Sequence, residues 1–506
     1  MENNYSRWLK ENELKDARDI KKINYQDEIE VSGMPLFLEG KSMIIDTSVT
    51  SKLVIGATGS GKTQSTILPM LKLIARANES VVVIDPNGEL YKCTASDYKK
   101  RGYNVITLNF KDPQYGDGWN PLLFPYHLYK NNHRDEAIQL IESLGHILLF
   151  EKSAVDPFWE NTAADYFTAL CLGLFKEGKE EEINLNSINT MITDGEDKKG
   201  INTYSKAYFE RMDKNDIAFI KASSTIYAPT ETRGSIISVL RQKMGACLAR
   251  ESLSQMISQS TFNLNELRNK TVVYIILPDN DCKIGQLANA FLTQSYYVIA
   301  KDSTKTRFNF LLDEFDVLAP ISNLDMMMTA GRSKNICFVL LTRNYQNIYD
   351  NYGKETGRKI INSCSDIYYL LTDNRSTADE ISVQCGFKSI NEPLISTDEL
   401  LRINQWESIL LKMRYYPIKI KLTPNYKIDW NEEVEEVNLT IRETYEVKLF
   451  NMKQFVKKEE KSLDEIIKEI DLKIEELDSE DNKKTIIEEK VRKVEIEKDR
   501  VIIYFK

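Results

Sequence analysis

The stretch Gly56-Ala57-Thr58-Gly59-Ser60-Gly61-Lys62-Thr63 decides the fold of this 506-residue chain. It matches the pattern G-x-x-x-x-G-K-[ST], which is informative only when a strand precedes it and a helix follows it. Leu53–Ile55 has the character of a buried strand end, and Gln64–Ala77 has the apolar spacing of a helix. Pro69 lies near the first turn of that helix, where a missing amide hydrogen is tolerated best. The sequence therefore predicts a P-loop.

Each part of this loop is suited to binding a polyphosphate. The glycines allow positive φ and a close approach of the backbone, while successive amides and the helix N-terminus donate hydrogen bonds. We expect all of Gly56–Thr63 to contact a nucleotide, with Lys62 reaching its β- and γ-phosphates and the Thr63 hydroxyl ligating Mg²⁺. The alternative is a glycine-rich turn that binds nothing, which the agreement of strand, lysine, threonine and helix disfavours.

A second motif consists of two acidic residues after an apolar run. Phe308–Leu312 has the composition of a parallel strand covered on both faces, and Asp313 and Glu314 follow it. Carboxylates at this end of a strand emerge where open α/β sheets bind ligands. We expect Asp313 to hold the Mg²⁺ shell and Glu314 to orient and deprotonate an attacking water. A solvated strand end would have the same pattern, but downstream of a P-loop the pattern predicts hydrolysis of a nucleoside triphosphate.

The remaining apolar patterns predict an α/β fold in which a parallel sheet is interrupted by helices. Further strands are expected at Ser80–Asp85, Tyr103–Leu108, Thr271–Leu277, Arg307–Leu312, Ile336–Leu341 and Asp366–Leu371. The predicted segments are an N-terminal segment (1–45), the first part of the P-loop domain (46–126), an inserted all-α domain (127–262), the second part of the P-loop domain (263–430) and a charged C-terminal extension (431–506).

Composition favours a soluble globular protein, with 42% hydrophobic and 28% charged residues. No apolar run approaches the roughly 20 residues that span a bilayer. Seven cysteines are scattered without a C-x-x-C pair, which favours buried thiols in a reducing cytoplasm. The net charge is −9, and about two-thirds of this excess follows residue 430, so a nearly neutral body can still carry a basic channel.

The C-terminal extension contains an apolar stripe among charges, which predicts a helix followed by a short strand at Val501–Phe505. The stripe consists of Leu463, Ile466, Ile467, Ile470, Ile474 and Leu477. A solvated amphipathic helix and a partner-docking arm both fit this pattern.

The ordered set of motifs resembles the type IV secretion coupling proteins, the TraG-like DNA-translocating ATPases of bacterial conjugation. The resemblance covers roughly residues 5–430. Besides the two nucleotide motifs it includes Ser6-Arg7-Trp8, Asp85-Pro86-Asn87-Gly88-Glu89-Leu90, Trp119-Asn120-Pro121-Leu122, Asp156-Pro157-Phe158-Trp159, Gly331-Arg332-Ser333, Gln346 with Tyr352-Gly353, and Asn362-Ser363-Cys364 before Asp366. A P-loop is widespread among proteins, whereas this ordered series is specific.

The resemblance implies a RecA-like motor domain with mainly parallel sheet, an inserted all-α domain and assembly into a homo-hexameric ring. ATP and Mg²⁺ would bind between neighbouring subunits. Members of the family recruit a relaxase bound to single-stranded DNA and deliver it to the secretion channel at the cytoplasmic membrane. The expected partners are therefore single-stranded DNA, the relaxase and channel components.

Three further positions take roles from this resemblance. Arg332 is similar in placement to the arginine that reaches a neighbouring subunit's nucleotide, although it would also fit a local ion pair. Gln346 resembles the second of two glutamines that follow the next strand, and the first of them falls on Thr342. Threonine is shorter than glutamine, so Thr342 reaches less far toward a γ-phosphate. The neighbouring Arg343 would either replace the missing contact with the γ-phosphate or face solvent.

The family usually carries transmembrane helices ahead of the motor domain, whereas here Ser6-Arg7-Trp8 lies close to Met1. We expect a cytoplasmic protein held at the inner face of the membrane by a separate membrane-anchor subunit. A soluble member of the group is the alternative. The acidic tail is a candidate contact for the anchor or for the relaxase.

Two other functions remain compatible with the sequence. One keeps the ring but changes the cargo from DNA to protein. The other is a docking platform for the relaxosome or a protein-effector receptor, in which the nucleotide switches assembly without mechanical work.

Overall fold

The computed structural model describes residues 5–149, 157–278, 282–301, 306–315, 318–432, 435, 437–457, 491–497 and 500–505. The chain begins with a short helix, α1 (Glu11–Lys15), and a three-stranded antiparallel sheet of β1 (Ile20–Asn24), β2 (Met34–Glu39) and β3 (Ser42–Asp46), in the order β1-β3-β2. Buried Met34, Leu36 and Ile44 face the helix that follows the P-loop, so this small sheet covers one side of the main domain.

The first part of the P-loop domain alternates strands and helices. It contains β4 (Lys52–Gly56), a π-helical turn (Thr63–Ile67), α2 (Leu68–Arg76), β5 (Ser80–Asp85), α3 (Glu89–Lys100) and β6 (Asn104–Asn109). The wider turn before α2 is a difference from the continuous helix predicted for Gln64–Ala77. Pro69 has no amide hydrogen to donate to the Ser65 carbonyl, and the Leu68 amide instead donates to Thr63 five residues back.

The described residues of the insertion are helical, apart from a small ribbon of two strands with two residues each. Its elements are α4 (Leu123–Lys130), α5 (Arg134–Leu149), α6 (Phe158–Glu177), α7 (Leu185–Gly195), β7 (Lys198–Lys199), β8 (Asn202–Thr203), α8 (Tyr204–Glu210), α9 (Ile217–Ile226), α10 (Thr230–Leu248) and α11 (Glu251–Met256). Helix α6 is central, since Tyr166, Phe167, Leu170 and Leu174 on it are all buried. The aromatic residues of α6 are therefore mostly core, with Phe158 exposed at its start.

The second part of the P-loop domain returns to the same sheet. It contains β9 (Thr271–Ile276), α12 (Cys282–Lys301), β10 (Phe308–Leu312), α13 (Leu324–Gly331), β11 (Ile336–Thr342), α14 (Tyr345–Tyr352), α15 (Lys354–Ser363), β12 (Asp366–Leu371), α16 (Arg375–Cys385), β13 (Phe387–Ser389), β14 (Glu392–Pro393), α17 (Thr397–Leu400), β15 (Glu407–Lys412) and β16 (Ile418–Lys421). The strands predicted from the sequence are confirmed to within one residue at each end.

Nine of the described strands form the main sheet in the order β16-β15-β12-β4-β11-β10-β5-β9-β6. The seven from β12 to β6 are parallel, and β15 and β16 extend one side antiparallel. Each central strand alternates its side chains between two apolar layers: Leu53 and Ile55 lie in the cluster that includes the core of the insertion, while Val54 lies in the cluster that includes α2 and α3. The predicted α/β class with a mainly parallel sheet is confirmed.

The amino edge of the sheet, where the parallel strands begin, contains a buried ionic cluster. Lys412 lies 2.9 Å from an Asp46 oxygen and 3.3 Å from an Asp366 oxygen. Lys52 lies 3.9 Å from Asp366 and donates to the Ser48 carbonyl at 2.8 Å. None of the four charged residues is more than 8% exposed. We call Asp46, Lys52, Asp366 and Lys412 the amino-edge cluster.

Residues 437–457 cross from the sheet to the insertion, and we call this segment the C-terminal strap. The Gly116 amide donates to Thr440 at 3.0 Å, and the Arg442 amide donates to Gln114 at 2.9 Å. Further along, Phe450, Met452 and Val456 are buried in the same apolar cluster as the insertion. The strap therefore holds the insertion against the outer strand of the sheet.

Ahead of the strap, Glu432 is fixed on α2 and α3. Its carboxylate lies 2.5 Å from Arg76, 3.0 Å from Lys72 and 2.7 Å from Arg101. The Arg76 guanidinium also lies over the Trp430 ring at 4.8 Å.

The chain's last described elements are β17 (Val491–Glu497) and β18 (Arg500–Phe505), which pair as an antiparallel hairpin. The predicted strand at Val501–Phe505 is therefore confirmed. The helix predicted over Leu463–Leu477 lies outside the described residues. Among the helices described here, none is both long and apolar enough to cross a membrane.

Candidate nucleotide-binding site

The phosphate-binding loop leaves the carboxyl end of β4 and turns sharply into the next helix. Gly59 and Gly61 have φ of 79° and 89°, values that side chains disfavour, so glycine is required at both positions. The Ala57 amide donates to Leu371 at 2.8 Å, which fixes the loop to the neighbouring strand β12. Gly56–Thr63 therefore has the backbone shape expected from the sequence.

The interior of the loop is closely packed and polar. A Cβ atom on Gly56 would lie 2.4 Å from the Ser60 hydroxyl and 2.6 Å from Cγ of Lys62. The Lys62 ammonium donates to the Gly56 carbonyl. The Ser60 hydroxyl is buried and forms no hydrogen bond with the described part of the chain. A buried donor without a partner is costly, and a phosphate oxygen would satisfy it, so the loop fits an anionic ligand.

The register of the sheet brings the acidic motif to the edge where this loop lies. Leu312 on β10 pairs with Ile84 on one side and Leu340 on the other. Thr342, two residues beyond Leu340, pairs with Ile55 on β4. The carboxyl ends of β4, β5, β10 and β11 therefore meet at one edge, and Asp313 and Glu314 emerge there.

Asp313 is a buried carboxyl group, only 7% exposed. Its pKa is raised to about 7, mainly by burial and to a smaller extent by the negative charges of Glu314 and Asp85, against the attraction of Lys62 and the hydrogen bond from the Glu314 amide. The carboxylate form therefore lacks enough positive charge around it within the chain. A divalent cation would supply that charge, so the residue suits a metal ligand.

Glu314 differs from Asp313 in exposure and in partner. Its side chain is 37% exposed, and one carboxylate oxygen lies 3.2 Å from Nη2 of Arg343. Its backbone has φ of 49°, an uncommon conformation for a residue other than glycine. The Glu314 amide donates to an Asp313 carboxylate oxygen at 3.0 Å. The two acidic residues are thus held together while only Glu314 reaches solvent.

Thr342, which replaces the first family glutamine, is buried at the end of β11. Its hydroxyl donates to the Asn344 carbonyl at 2.9 Å, inside the turn that leads into α14. Arg343 follows Thr342 and forms an ion pair with Glu314. Its side chain is also 45% exposed, so it both contacts the acidic motif and reaches solvent.

Gln346 lies at the same edge of the sheet as the P-loop, whereas Arg332 lies at the opposite edge. Gln346 is exposed on the first turn of α14 and donates to Asp350 at 2.7 Å. Arg332 is exposed in a 3-10 turn just before β11, which places it at the amino edge of the sheet, opposite its own P-loop. In the described part of the chain no carboxylate pairs with its guanidinium.

Sequence reasoning missed two neighbours of this site. Asp85 is buried at the end of β5, accepts a hydrogen bond from the Tyr91 amide at 2.8 Å and acts electrostatically on Asp313. The motif Asp85-Pro86-Asn87-Gly88-Glu89-Leu90, which follows a predicted strand, could have indicated that Asp85 lies at this site. The second neighbour is Trp406, whose ring lies against Gly61. It comes from a loop before β15 that carries no recognisable motif.

The fold and this site define a class: a P-loop protein with a mainly parallel sheet and a helical insertion. The profile of one family, described as Type IV secretory system Conjugative DNA transfer, matches residues 7–392. Because that match covers most of the chain, the chain belongs to this family.

Two curated relatives support the assignment. The type IV secretion system-coupling protein VirD4 of Bartonella henselae is 24% identical over 368 residues, which are 68% of this chain and 54% of that protein. The probable conjugal transfer protein TraG of Sinorhizobium fredii is 21% identical over 72% of this chain and 60% of that protein. The chain therefore spans little more than half the length of these relatives.

Solved structures of the plasmid coupling protein TrwB share the fold. Its complex with the ATP analogue ADPNP superposes with a TM-score of 0.59 at 15% identity, covering 87% of this chain and 97% of that one. Its complex with ADP and Mg²⁺ gives a TM-score of 0.54 at 14% identity, covering 78% and 86%. At these identities the likeness establishes the RecA-like architecture.

Proposed function

We propose that the chain is an ATP-driven coupling protein that recruits a relaxase bound to single-stranded DNA to a type IV secretion channel. One observation carries this proposal: a member of the conjugative DNA transfer family places its P-loop lysine and an Asp-Glu pair at the same edge of one sheet. A structure adapted only for docking does not require this juxtaposition of a phosphate cradle and a hydrolytic base.

The ligands we assign are ATP and Mg²⁺, supported by the TrwB complexes with ADPNP and with ADP and Mg²⁺. Gly56–Thr63 binds the phosphates, Lys62 contacts the β- and γ-phosphates, and the Thr63 hydroxyl and Asp313 hold the metal. Mg²⁺ supplies positive charge that neutralises the phosphates. Binding it also stabilises the ionised form of Asp313.

In the proposed reaction Glu314 accepts a proton from water as the water oxygen attacks the γ-phosphorus. The bond to the β-phosphate oxygen breaks, which yields ADP and phosphate. Arg343 holds Glu314 in position. Arg332 is exposed and distant from its own P-loop, which suits an arginine that reaches a neighbour's nucleotide across a homo-hexameric ring. Gln346, at the start of α14, contributes polar contacts to this edge.

We assign the motor to 46–126 and 263–430, the all-α domain to 127–262, and flanking segments to 1–45 and 431–506. We further propose that the protein works at the inner face of the membrane through a separate membrane-anchor subunit. Co-purification of the protein with membranes only in cells that carry the conjugation genes supports this placement. An unchanged soluble pool in both cell types contradicts it.

The function is tested by measuring ATP hydrolysis and plasmid transfer with Lys62→Ala and with Glu314→Gln in the full chain. We expect both variants to lower both activities by at least about a hundredfold. Lys388→Ala, which removes an exposed lysine paired with Glu392, should retain them. Transfer at the normal frequency without hydrolysis would refute the motor.

A nucleotide-switched docking platform is the second candidate, favoured by one observation. The Thr342 hydroxyl is engaged by the Asn344 backbone, so it is poorly placed to sense a γ-phosphate. This candidate predicts ATP-dependent oligomerisation without turnover. Multiple turnovers stimulated by single-stranded DNA would eliminate it, and binding of DNA that weakens with salt would favour DNA over protein cargo.

A further inference from the structure

A tryptophan lies directly on the phosphate-binding loop. A Cβ atom built on Gly61 would be 2.4 Å from Cζ3 and 3.0 Å from Cη2 of Trp406. The indole ring is therefore in van der Waals contact with the glycine that precedes Lys62. Any side chain at position 61 would collide with the ring, so the close approach requires glycine.

The backbone of Trp406 is held in an unfavourable conformation. Its φ is 71°, in the left-handed region that bulky residues rarely occupy. The Leu422 amide donates to the Trp406 carbonyl at 2.7 Å, and the Glu407 amide donates to Asn404 at 3.0 Å. These bonds hold the turn at the start of β15 and so hold the ring above the loop. Backbone strain that a fold maintains in this way is concentrated at functional sites.

A second aromatic residue flanks the same place. The ring centroid of Tyr426 lies 6.2 Å from that of Trp406, with the ring planes at 75°. Tyr426 belongs to a 3-10 turn, Asn425–Lys427, that packs against the π-helical turn following Lys62. It is 65% exposed, and the hydrogen bond from Trp430 Nε1 to Asn425 at 2.8 Å fixes the turn.

A nucleotide on this loop extends in a predictable direction. Its phosphates bind the loop amides and Lys62, so its sugar and base leave the loop past the first helical turn, Thr63–Ile67. The side of this turn away from the acidic motif is bordered by Tyr426 and Trp406. Both rings come from the antiparallel extension of the sheet, because β15 begins at the carboxyl edge where the P-loop lies.

We propose that Trp406, with Tyr426 beside it, forms the subsite for the base of the bound nucleotide. The base stacks on the indole face, and Tyr426 borders the outer side. Stacking uses the π-face that every base has, so this subsite distinguishes a nucleoside triphosphate from a bare polyphosphate but accepts adenine and guanine alike. The proposal rests on the function proposed above, since it requires triphosphate binding at Lys62.

The test compares ATP, GTP and inorganic tripolyphosphate as ligands of the full chain, with affinities measured by calorimetry. Trp406→Ala is expected to weaken ATP and GTP binding by about five- to hundredfold, the range for losing one base stack. Tripolyphosphate affinity should not change. Trp406→Phe should restore most of the nucleotide affinity, and Phe387→Ala, at an exposed aromatic on β13, serves as the matched control.

Each other outcome overturns the subsite. Equal losses for ATP and tripolyphosphate would mean that the ring only supports the loop. Unchanged or tighter ATP binding would mean that the ring makes no favourable contact with the base. A thermal midpoint close to that of the wild type confirms that the variant is folded, and quenching of Trp406 fluorescence by ATP but not by tripolyphosphate is a second readout. If wild-type protein binds no nucleotide, the proposed function fails, whereas ATP binding that is insensitive to Trp406 refutes only the subsite.

Discussion

The two ends of β4 lie in opposite electrostatic surroundings. At its amino end Lys52 is 1% exposed and belongs to the amino-edge cluster, in which each charge has an opposite charge within 4 Å. At its carboxyl end Lys62 is partly exposed, Glu314 reaches solvent, and Asp313 is buried with a raised pKa that attraction to Lys62 lowers only in part. One edge has its charges balanced within the chain, and the other has charges that a ligand must balance.

Two buried carboxyl groups make the comparison quantitative. Burial by itself raises the pKa of Asp46, but attraction to Lys52 and Lys412 outweighs it and holds the pKa well below its usual range. Burial raises the pKa of Asp313 to about 7 because Lys62 opposes it only in part. The two carboxyl groups are similarly buried, yet the pKa of Asp46 is lowered and the pKa of Asp313 is raised. The difference follows from the nearby lysines, two that attract Asp46 and one that attracts Asp313. The proposed ligand site and the amino-edge cluster therefore lie at opposite edges of the same sheet.

The largest effect is expected from Glu314→Gln, which removes the proposed base at the P-loop edge and keeps the size of the side chain. ATP hydrolysis should fall by about 10²- to 10⁴-fold while ATP binding persists, because the amide cannot accept the proton. Steady-state phosphate release and calorimetric binding measure the two quantities. Glu89→Gln, at an exposed carboxylate near Gln64 on the first turn of α3, should hydrolyse at the normal rate. A Glu314→Gln rate within tenfold of the wild type would contradict the assignment.

The next effect is at the opposite edge. Lys52→Met should leave Asp366 and Asp46 with too little positive charge and lower the free energy of unfolding by about 3–5 kcal/mol, as breaking a buried ion pair does. Thermal or urea unfolding measures this. Lys388→Met breaks an exposed pair with Glu392 and should shift the midpoint little. Comparable midpoints for the two variants would show that the amino-edge cluster does not stabilise the fold.

A pH dependence is expected from Asp313. Its pKa is 3.8 in a model peptide and about 7 in the folded chain, so the protonated form is favoured by folding. Its stabilising contribution is therefore present below about pH 4 and is lost as the pH rises through about 7. Asp313→Asn removes this loss, so the free energy of unfolding of the variant relative to the wild type should increase by about 4 kcal/mol over this interval.

Unfolding at a series of pH values, without nucleotide or divalent metal, tests this expectation, with Asp398→Asn at an exposed carboxylate as the control. Parallel pH profiles for the wild type and Asp313→Asn would rule it out. Saturating Mg²⁺ and ATP should flatten the wild-type profile, because the metal stabilises the ionised carboxylate.

The smallest effect is expected from Arg343→Ala. The pair with Glu314 is partly exposed on both sides, so its contribution to the free energy of unfolding should be at most about 1 kcal/mol. Hydrolysis should slow by less than about tenfold, because Glu314 remains but is less well oriented. Arg343→Lys should recover part of the rate. A loss as large as that of Glu314→Gln would instead place Arg343 in contact with the reacting phosphate.

The sequence predicted the strands and the meeting of Lys62 with Asp313 because parallel strands present their carboxyl ends at one edge. Pairing across the site was not predictable in the same way. The contact of Arg343 with Glu314 depends on how far β11 continues beyond β10. Trp406 directly precedes β15, and it lies near the P-loop because β15 is antiparallel to β12 and begins at the P-loop edge. No local sequence pattern predicts this strand direction.

The C-terminal strap shows a second limit of sequence reasoning. Its buried residues, Phe450, Met452 and Val456, stand among many charges and lack a helical or strand period over a long window. From composition, residues 431–506 are predicted to be a charged extension. In the structure, part of that segment, including these three residues, packs in the apolar core. What determines its packing is a partner surface on the insertion, more than 180 residues earlier in the chain.

That strap has a mechanical consequence. Glu432 is bound to α2, the helix that continues from the P-loop, and some twenty residues later Met452 is buried beside the insertion. A rotation of the insertion away from the sheet would have to break the hydrogen bonds between the strap and residues 114 and 116, or expose the strap residues that are buried beside the insertion. The strap therefore couples the position of the insertion to the outer strand of the sheet, in addition to the apolar cluster that the insertion and the sheet share.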